Sequence, residues 1–112
     1  MAAGMATVGA GRNLLAEHPR YPSLSGRRVF VTGGGSGIGA AIARRLSGAG
    51  ATVTLAGRRH QPLADVAATL DKERVLVADG FDVTVPEAIA RGIEAAKSAF
   101  GPVSILVNCA GE

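Results

Sequence analysis

The sequence has little of what disulfide-bonded, metal-binding or membrane-spanning proteins depend on. It has one cysteine, Cys109, so no disulfide can form within the chain, which fits a reducing compartment. His18 and His60 are far apart, and no Cys/His cluster predicts a metal site. No apolar run approaches the roughly 18 residues of a membrane span. We therefore expect a cytoplasmic protein with no metal and no membrane segment.

Aromatic residues are also few, and the basic residues form no continuous stripe. Aromatics make up 4% of the 112 residues, and tryptophan is absent. The net charge is +3, and six of the ten arginines occur in separate pairs at 27–28, 44–45 and 58–59. Because no aromatics interleave these pairs, we predict solvated surface and no nucleic-acid partner. The 47% hydrophobic content and 16 glycines are typical of a packed α/β domain.

The most informative feature that is present is a glycine-rich turn after a short apolar strand. The strand at 29–32 runs into Gly-Gly-Gly-Ser-Gly-Ile-Gly at 33–39. We expect Gly33 to form a tight turn, Gly37 to let phosphates approach the backbone, and Gly39 to allow close helix–strand packing. The helix that follows would offer free N–H groups to a pyrophosphate. The alternative interpretation is a glycine-rich hinge without a ligand.

Strand and helix patterns alternate from residue 25 onward. Strands are predicted at 29–32, 52–56, 75–78 and 105–107. The first predicted helix has the inward face Ile38, Ile42, Leu46 and Ala49 and is ended by Gly48 and Gly50. The second has the inward face Leu63, Val66, Ala67 and Leu70, with Pro62 in its first turn. The third has the inward face Ile89, Ile93, Ala96 and Phe100; it follows a Thr84–Glu87 capping box and is ended by Gly101-Pro102. This β-α-β-α-β-α-β order predicts the first half of a Rossmann-like, doubly wound parallel sheet with strand order 3-2-1-4.

The motifs resemble those of the short-chain dehydrogenase/reductase family over roughly residues 24–112. The family's T-G-x-x-x-G-x-G stands here at 32–39, and Asp82-Val83-Thr84 is similar to the family's stretch after the third strand. Asn108-Cys109-Ala110-Gly111 resembles the family's N-N-A-G, with cysteine in the second position. The resemblance implies that a nicotinamide cofactor is bound by the following residues: Thr32, Gly33, Gly35, Ser36, Gly37, Ile38, Gly39, Arg58, Arg59, Asp82, Val83, Asn108, Ala110 and Gly111.

The end of the second strand indicates which cofactor is preferred. An enzyme that prefers NAD usually has an acid there, which holds the ribose 2′-hydroxyl. Gly57 occupies that place, and Arg58 and Arg59 follow. A guanidinium is the preferred partner of a 2′-phosphate, so we predict NADP, with NAD possible and Arg58 the better candidate. The alternative is that both arginines simply face water.

The resemblance also implies roles after the third and fourth strands. Asp82 would accept from the adenine amino group and Val83 would contact the ring, although Asp82 also suits a turn or helix start. Asn108, with small residues at 110 and 111, would let the nicotinamide ribose approach, and Asn108 would tie the fourth strand to Thr32. Cys109 is expected to be a small buried filler and not a nucleophile.

The catalytic residues that the resemblance implies, a serine and a Tyr-x-x-x-Lys pair, are not in this sequence. Its one tyrosine is Tyr21, and Ser25 rather than lysine lies four residues later. We expect residues 25–112 to be a partial NAD(P)-binding domain truncated after the fourth strand, so that the chain alone is inactive. The intact enzyme would be a homo-oligomer acting on a small alcohol/carbonyl pair, possibly of 3-oxoacyl/3-hydroxyacyl type. The alternative is a non-catalytic nucleotide-binding module that acts as a sensor or partner subunit.

Residues 1–24 differ from the rest in composition. The segment 1–11 is rich in alanine and glycine and has no periodicity. A flexible extension, or a start codon assigned too early, is the favoured interpretation. A transit peptide is the alternative, since Arg12 and Arg20 lie among small residues, but Glu17 and Pro19 count against it.

Overall fold

The computed structural model describes residues 24–109, so nearly all of the expected N-terminal extension, and Ala110 and Gly111, lie outside the described residues. Strands and helices alternate along the chain in this order: β1 (Arg28–Thr32), α1 (Gly37–Gly48), β2 (Thr52–Ala56), α2 (His60–Ala67), a 3₁₀ turn (Lys72–Arg74), β3 (Val75–Ala78), α3 (Pro86–Phe100) and β4 (Ile105–Asn108).

The four strands form one parallel sheet in the order β3-β2-β1-β4. β1 pairs with β2 in the register Phe30↔Thr54 and with β4 in the register Phe30↔Leu106. Each strand is joined to the next through a helix, as parallel pairing requires. The predicted Rossmann-like half-fold and its strand order are confirmed.

The core lies on both faces of the sheet. On one face, α1 and α2 pack through Ala43, Leu46 and Leu63 against β1 and β2. On the other face, Phe30 and Phe81 meet with ring centroids 5.3 Å apart, and α3 packs through Ala96. Within the part of the chain that the structure describes, no helix is long and apolar enough to cross a membrane.

The inward face of α1 differs from the predicted one. Leu46 is buried as expected, but Ile38 is 58% exposed. The buried side of α1 consists mainly of small residues: Gly39, Ala40, Ala43, Leu46 and Ser47. Because small residues allow this helix to lie close to the sheet, the face is rotated away from Ile38, and the prediction for Ile38 was wrong.

The start and the inward face of α3 also differ from the prediction. The helix cap is Val85, without a side-chain hydrogen bond, and Pro86 begins the helix, so the Thr84–Glu87 capping box was wrong. The Thr84 hydroxyl is instead 2.7 Å from the carboxylate of Asp82. Ile93, which was predicted to face inward, is 39% exposed. Gly92 takes the inward position because the ring of Phe81 leaves no room for a larger side chain.

The contact between Gly92 and Phe81 leads to a stability prediction. A methyl group on Gly92 would lie 2.5 Å from Phe81 Cδ2, and that ring is buried against Phe30. Overpacking of this kind costs about 1–3 kcal/mol, which exceeds the helix-propensity gain of about 1 kcal/mol. We expect Gly92→Ala to lower the free energy of unfolding measured by chemical denaturation.

Gly48→Ala is the matched control, because a Cβ at Gly48 meets no atom within 4 Å. It should leave the free energy of unfolding unchanged or raise it by up to about 1 kcal/mol. Equal stability of the two variants would contradict the packing of α3 described here.

Candidate nucleotide-binding site

The site begins with the turn between β1 and α1. Gly33 has φ of 70°, which residues with a side chain rarely adopt, and its N–H donates to Ala56 O at 2.8 Å. The N–H and hydroxyl of Ser36 both donate to Gly33 O, at 3.1 Å and 2.8 Å. The expected tight turn at Gly33 is confirmed, and it is fixed to the end of β2.

The other glycines of the turn differ in what surrounds them. A Cβ on Gly39 would lie 2.3 Å from Gly33 O, which confirms the expected close packing of helix and strand. A Cβ on Gly34 would lie 3.0 Å from Leu55, and one on Gly35 would lie 2.8 Å from Pro62. A Cβ on Gly37, by contrast, would have no atom of the described residues within 4 Å. Packing therefore explains the other three glycines but not Gly37.

The first turn of α1 has no side-chain cap. Ser36 is the N-cap residue, but its hydroxyl is used by Gly33 O and accepts nothing from the helix. No acidic residue lies in the first turn, so the partial positive charge of the helix end is not neutralised there. The exposed side chain of Ile38 lies beside this helix end. N–H groups and dipole together suit a phosphate group.

β4 is tied to the same turn through the buried side chain of Thr32. Its hydroxyl lies 2.8 Å from Asn108 Oδ1 and accepts from the N–H of Cys109 at 3.2 Å. The expected link between Asn108 and Thr32 is therefore present. Burial raises the pKa of the Cys109 thiol, which disfavours the thiolate and agrees with a packing role.

The end of β2 carries cations and no carboxylate. Gly57 stands at the position where an acid would hold a ribose hydroxyl, and a Cβ there would lie 3.2 Å from Leu63 Cδ2. Arg58 and Arg59 follow and are exposed. The Gly57 carbonyl accepts from Phe81 N at 3.0 Å, so the segments after β2 and β3 lie side by side.

Asp82 lies in the turn after β3. Its Oδ1 accepts from the Thr84 hydroxyl at 2.7 Å and from Thr84 N at 2.9 Å. These two hydrogen bonds, and to a lesser degree the charge of Arg58, hold the pKa of Asp82 below its ordinary value. Asp82 therefore has the turn role that the sequence also allows, and Val83 beside it is 52% exposed. The contacts of these two residues with adenine stay predictions.

An open cleft of about 550 Å³ lies between α1 and α2, beside the glycine turn. Its lining includes Ser36, Gly37 and Arg59. Three further polar residues line it that the sequence analysis did not select: Gln61 and Asp65 on α2, and Arg44 on α1. Arg44 follows Gly37 by seven residues, which is two helical turns, so helical spacing places the two residues on the same side of α1 but does not show that α2 packs against that side. Within residues 24–109, Arg58 does not line this cleft.

Comparison with known proteins identifies the family. The family model described as short chain dehydrogenase matches residues 27–112. The chain belongs to the short-chain dehydrogenase family. Gluconate 5-dehydrogenase from Gluconobacter oxydans is 39% identical over 96 residues, which cover 85% of this chain and 38% of that protein.

Solved structures of similar sequence have the same fold. The C-domain of a bacterial malonyl-CoA reductase with NADP has a TM-score of 0.74 and 31% identity, covering 79% of this chain and 15% of the other. The 3-ketoacyl-(acyl-carrier-protein) reductase of Brucella melitensis complexed with NADH has a TM-score of 0.70 and 32% identity, covering 74% of this chain and 34% of the other. This short-chain dehydrogenase chain thus spans well under half the length of these relatives.

The family's motif residues come together at the carboxyl edge of the sheet. Thr32 and Asn108 are the last residues of β1 and β4, and the glycine turn, Arg58 and Asp82 follow the ends of β1, β2 and β3. A second polar contact at this edge was missed, since His60 Nδ1 lies 2.6 Å from Asp79 Oδ2 and joins the start of α2 to the end of β3. Both side chains are more than half exposed. Their separation of 19 residues gives no periodic signal by which sequence analysis could find the pair.

The lowered pKa of Asp82 predicts how its contribution to stability depends on pH. A carboxylate with a lowered folded-state pKa stabilises the fold above its unfolded pKa of about 3.9, and the contribution disappears as the pH falls through the folded value. We expect Asp82→Asn to be less stable than the parent chain at pH 7, with a difference that shrinks below about pH 4.

Chemical denaturation at several pH values measures this difference. Thr84→Val removes the hydroxyl that donates to Asp82. When Asp82→Asn is made in this variant, the resulting loss of stability should depend less on pH. A stability difference between Asp82→Asn and the parent that is the same at every pH would contradict the role of the charge.

Proposed function

We propose that this chain binds NADP at the carboxyl edge of its sheet, as the cofactor-binding part of an oxidoreductase that interconverts an alcohol and a carbonyl. The observation that carries the proposal is the uncapped end of α1 next to Gly37, which packing within the described residues leaves open. A pyrophosphate at this place would accept from the first N–H groups of α1.

The other residues of the edge fit the remaining parts of a dinucleotide. The pair Thr32–Asn108 holds the end of β4 against the glycine turn, where the nicotinamide ribose would lie. When bound, the nicotinamide supplies hydride transfer. NADP is preferred over NAD in this proposal because the end of β2 has two arginines and no acid.

The substrate proposed is a small alcohol/carbonyl pair. The 3-oxoacyl/3-hydroxyacyl type is one form of the proposal, and similarity to a 3-ketoacyl-(acyl-carrier-protein) reductase supports it. The homo-oligomeric state of the intact enzyme and its cytoplasmic location stay predictions.

Gly37→Ala tests the proposal, because this substitution has room in the fold. We expect the melting temperature to stay close to that of the parent chain. Affinity for both NADP and NAD should fall about tenfold or more, since the methyl group occupies the space of the pyrophosphate and tenfold corresponds to about 1.4 kcal/mol. Isothermal titration calorimetry with each dinucleotide measures this change.

The parent chain should bind NADP more tightly than NAD in the same titrations. Gly48→Ala, another helical glycine with open surroundings, is the control and should bind both as the parent does. Binding that is unaffected by Gly37→Ala would refute the pyrophosphate position, and the absence of any dinucleotide binding would refute the proposed function.

We also expect no alcohol or carbonyl turnover by the 112-residue chain itself. The sequence has no Tyr-x-x-x-Lys pair, and general acid–base groups contribute about 10²–10⁴-fold in rate. NADPH oxidation with small ketones, followed by absorbance, is the measurement. A rate above the uncatalysed one would show that the chain carries acid–base groups that the sequence analysis did not identify.

A further inference from the structure

The first turn of α2 lies between two parts of the candidate site. On one side it contacts the glycine turn, because a Cβ on Gly35 would lie 2.8 Å from Pro62 Cβ. On the other side it reaches the segment after β3, where His60 Nδ1 lies 2.6 Å from Asp79 Oδ2. His60 is the first residue of α2, and the residues before and after it both line the cleft. The position of this turn therefore determines how closely α2 approaches the glycine turn.

The segments after β2 and β3 are also joined by backbone hydrogen bonds, but only as far as Arg58. Gly57 N donates to Ala78 O at 3.2 Å, and Phe81 N donates to Gly57 O at 3.0 Å. Gly80 N donates to Arg58 O at 3.3 Å. Within residues 24–109, no further backbone hydrogen bond links the start of α2 to these residues. The imidazole–carboxylate pair is therefore the polar contact that joins the first turn of α2 to the end of β3.

The carboxylates around the start of α2 have different partners. Asp82 Oδ1 accepts two hydrogen bonds within its own turn, and Asp65 Oδ1 accepts one within α2. Asp79 is the carboxylate that faces His60. The glycine turn contains no titratable residue. The cations on the neighbouring elements are all arginines: Arg58 and Arg59 before the helix, and Arg44 on α1.

The imidazole is the group of this set whose charge changes between about pH 5 and pH 8. Arginine stays protonated and aspartate stays ionised over that range. Protonated His60 forms a charge-assisted hydrogen bond with Asp79, whereas the neutral ring donates a weaker one. The carboxylate also offsets the unfavourable position of an imidazolium at a helix N-terminus, since the first turn of α2 has no acidic residue of its own. The contact is therefore stronger at low pH.

We propose that the His60–Asp79 pair is a pH-sensitive tether that holds the first turn of α2 beside the glycine turn, and that protonation of His60 raises the affinity of the chain for NADP. The inference rests on the proposed function, because it concerns how the same site is held ready for its cofactor. His60 is not among the described residues that line the cleft, so it is a positioning residue. A tethered turn is ordered before the cofactor arrives, which lowers the ordering cost of binding.

Titration calorimetry with NADP at about pH 6 and about pH 8 tests the tether. Between these values the dissociation constant of the parent chain should rise by about two- to fivefold more than that of His60→Gln, as expected for an exposed ion pair. Titration of the cofactor's own 2′-phosphate affects both chains alike and cancels in the comparison. His18→Gln, which replaces the other histidine of the sequence, is the matched control and should behave as the parent does.

Proton uptake gives an independent measurement, because coupling between two ligands is reciprocal. If protonation raises the affinity for NADP, NADP must raise the proton occupancy of His60. Titrations in two buffers of different ionisation enthalpy, at one pH between those values, give the number of protons taken up on binding. The parent chain should take up more than His60→Gln.

Two further variants separate a tether from a direct effect of the imidazole charge on the cofactor. Asp79→Asn leaves the imidazole in place and should lose the pH dependence as His60→Gln does, whereas a direct effect would survive this substitution. The exchanged pair, His60→Asp with Asp79→His, restores opposite charges at the two positions and should regain the pH dependence. Circular dichroism melts at both pH values establish that every variant is folded as the parent is.

The outcomes are distinguishable. NADP binding with the same pH dependence in the parent and in His60→Gln would overturn the tether and leave the proposed function intact. A pH dependence that persists in Asp79→Asn would also overturn the tether, because the carboxylate would then have no part in it. Failure of the parent chain to bind NADP at either pH would overturn the proposed function, and this inference with it.

Discussion

The close approach of α1 to the turn after β1 is the constraint on which the site depends. Gly39 lies so near Gly33 that a single methyl group would collide with a backbone carbonyl, at 2.3 Å. Backbone atoms cannot rotate away as a flexible side chain can, so the spacing between helix and strand is fixed. The same spacing places the first N–H groups of α1 at the carboxyl edge of the sheet, where an anion can reach them.

Parallel pairing then brings distant parts of the chain to that edge. With the order β3-β2-β1-β4, all four strands end on the same side, and β1 lies between β2 and β4. The carbonyl of Ala56 accepts from both Gly33 and Gly34, and Thr32 contacts Asn108, so the ends of β2 and β4 are each bonded to the central turn. Ligands in open α/β sheets bind at the edge formed in this way.

The sequence predicted those features that depend on backbone geometry and short spacing. Gly33 and Gly39 were identified because a glycine motif between strand and helix has few structural solutions, and the alternation of strands and helices determined the strand order. The capping box failed because Pro86 suits a helix start, which makes Val85 the N-cap residue and leaves Thr84 in the preceding turn, where its hydroxyl donates to Asp82. Ile38 and Ile93 were misplaced because small residues, rather than the largest apolar ones, form the contact faces of α1 and α3.

Longer-range contacts were beyond the reach of the sequence. The position of Arg44 in the cleft depends on how α1 and α2 pack, and the pair His60–Asp79 depends on how the ends of β2 and β3 are juxtaposed. Which of Arg58 and Arg59 lines the cleft also depends on this packing, since consecutive residues at a helix start point in different directions. Sequence analysis could predict that the end of β2 is cationic, but not which guanidinium enters the cleft.

The site therefore separates two kinds of recognition. Backbone N–H groups at the start of α1, beside Gly37, which packing does not require, would bind the pyrophosphate common to NAD and NADP. In the proposed function, the exposed arginines after β2 would distinguish the two cofactors. On this proposal, cofactor preference would depend on exposed side chains after β2, while the sheet, the turn and α1 hold the part of the cofactor that NAD and NADP share.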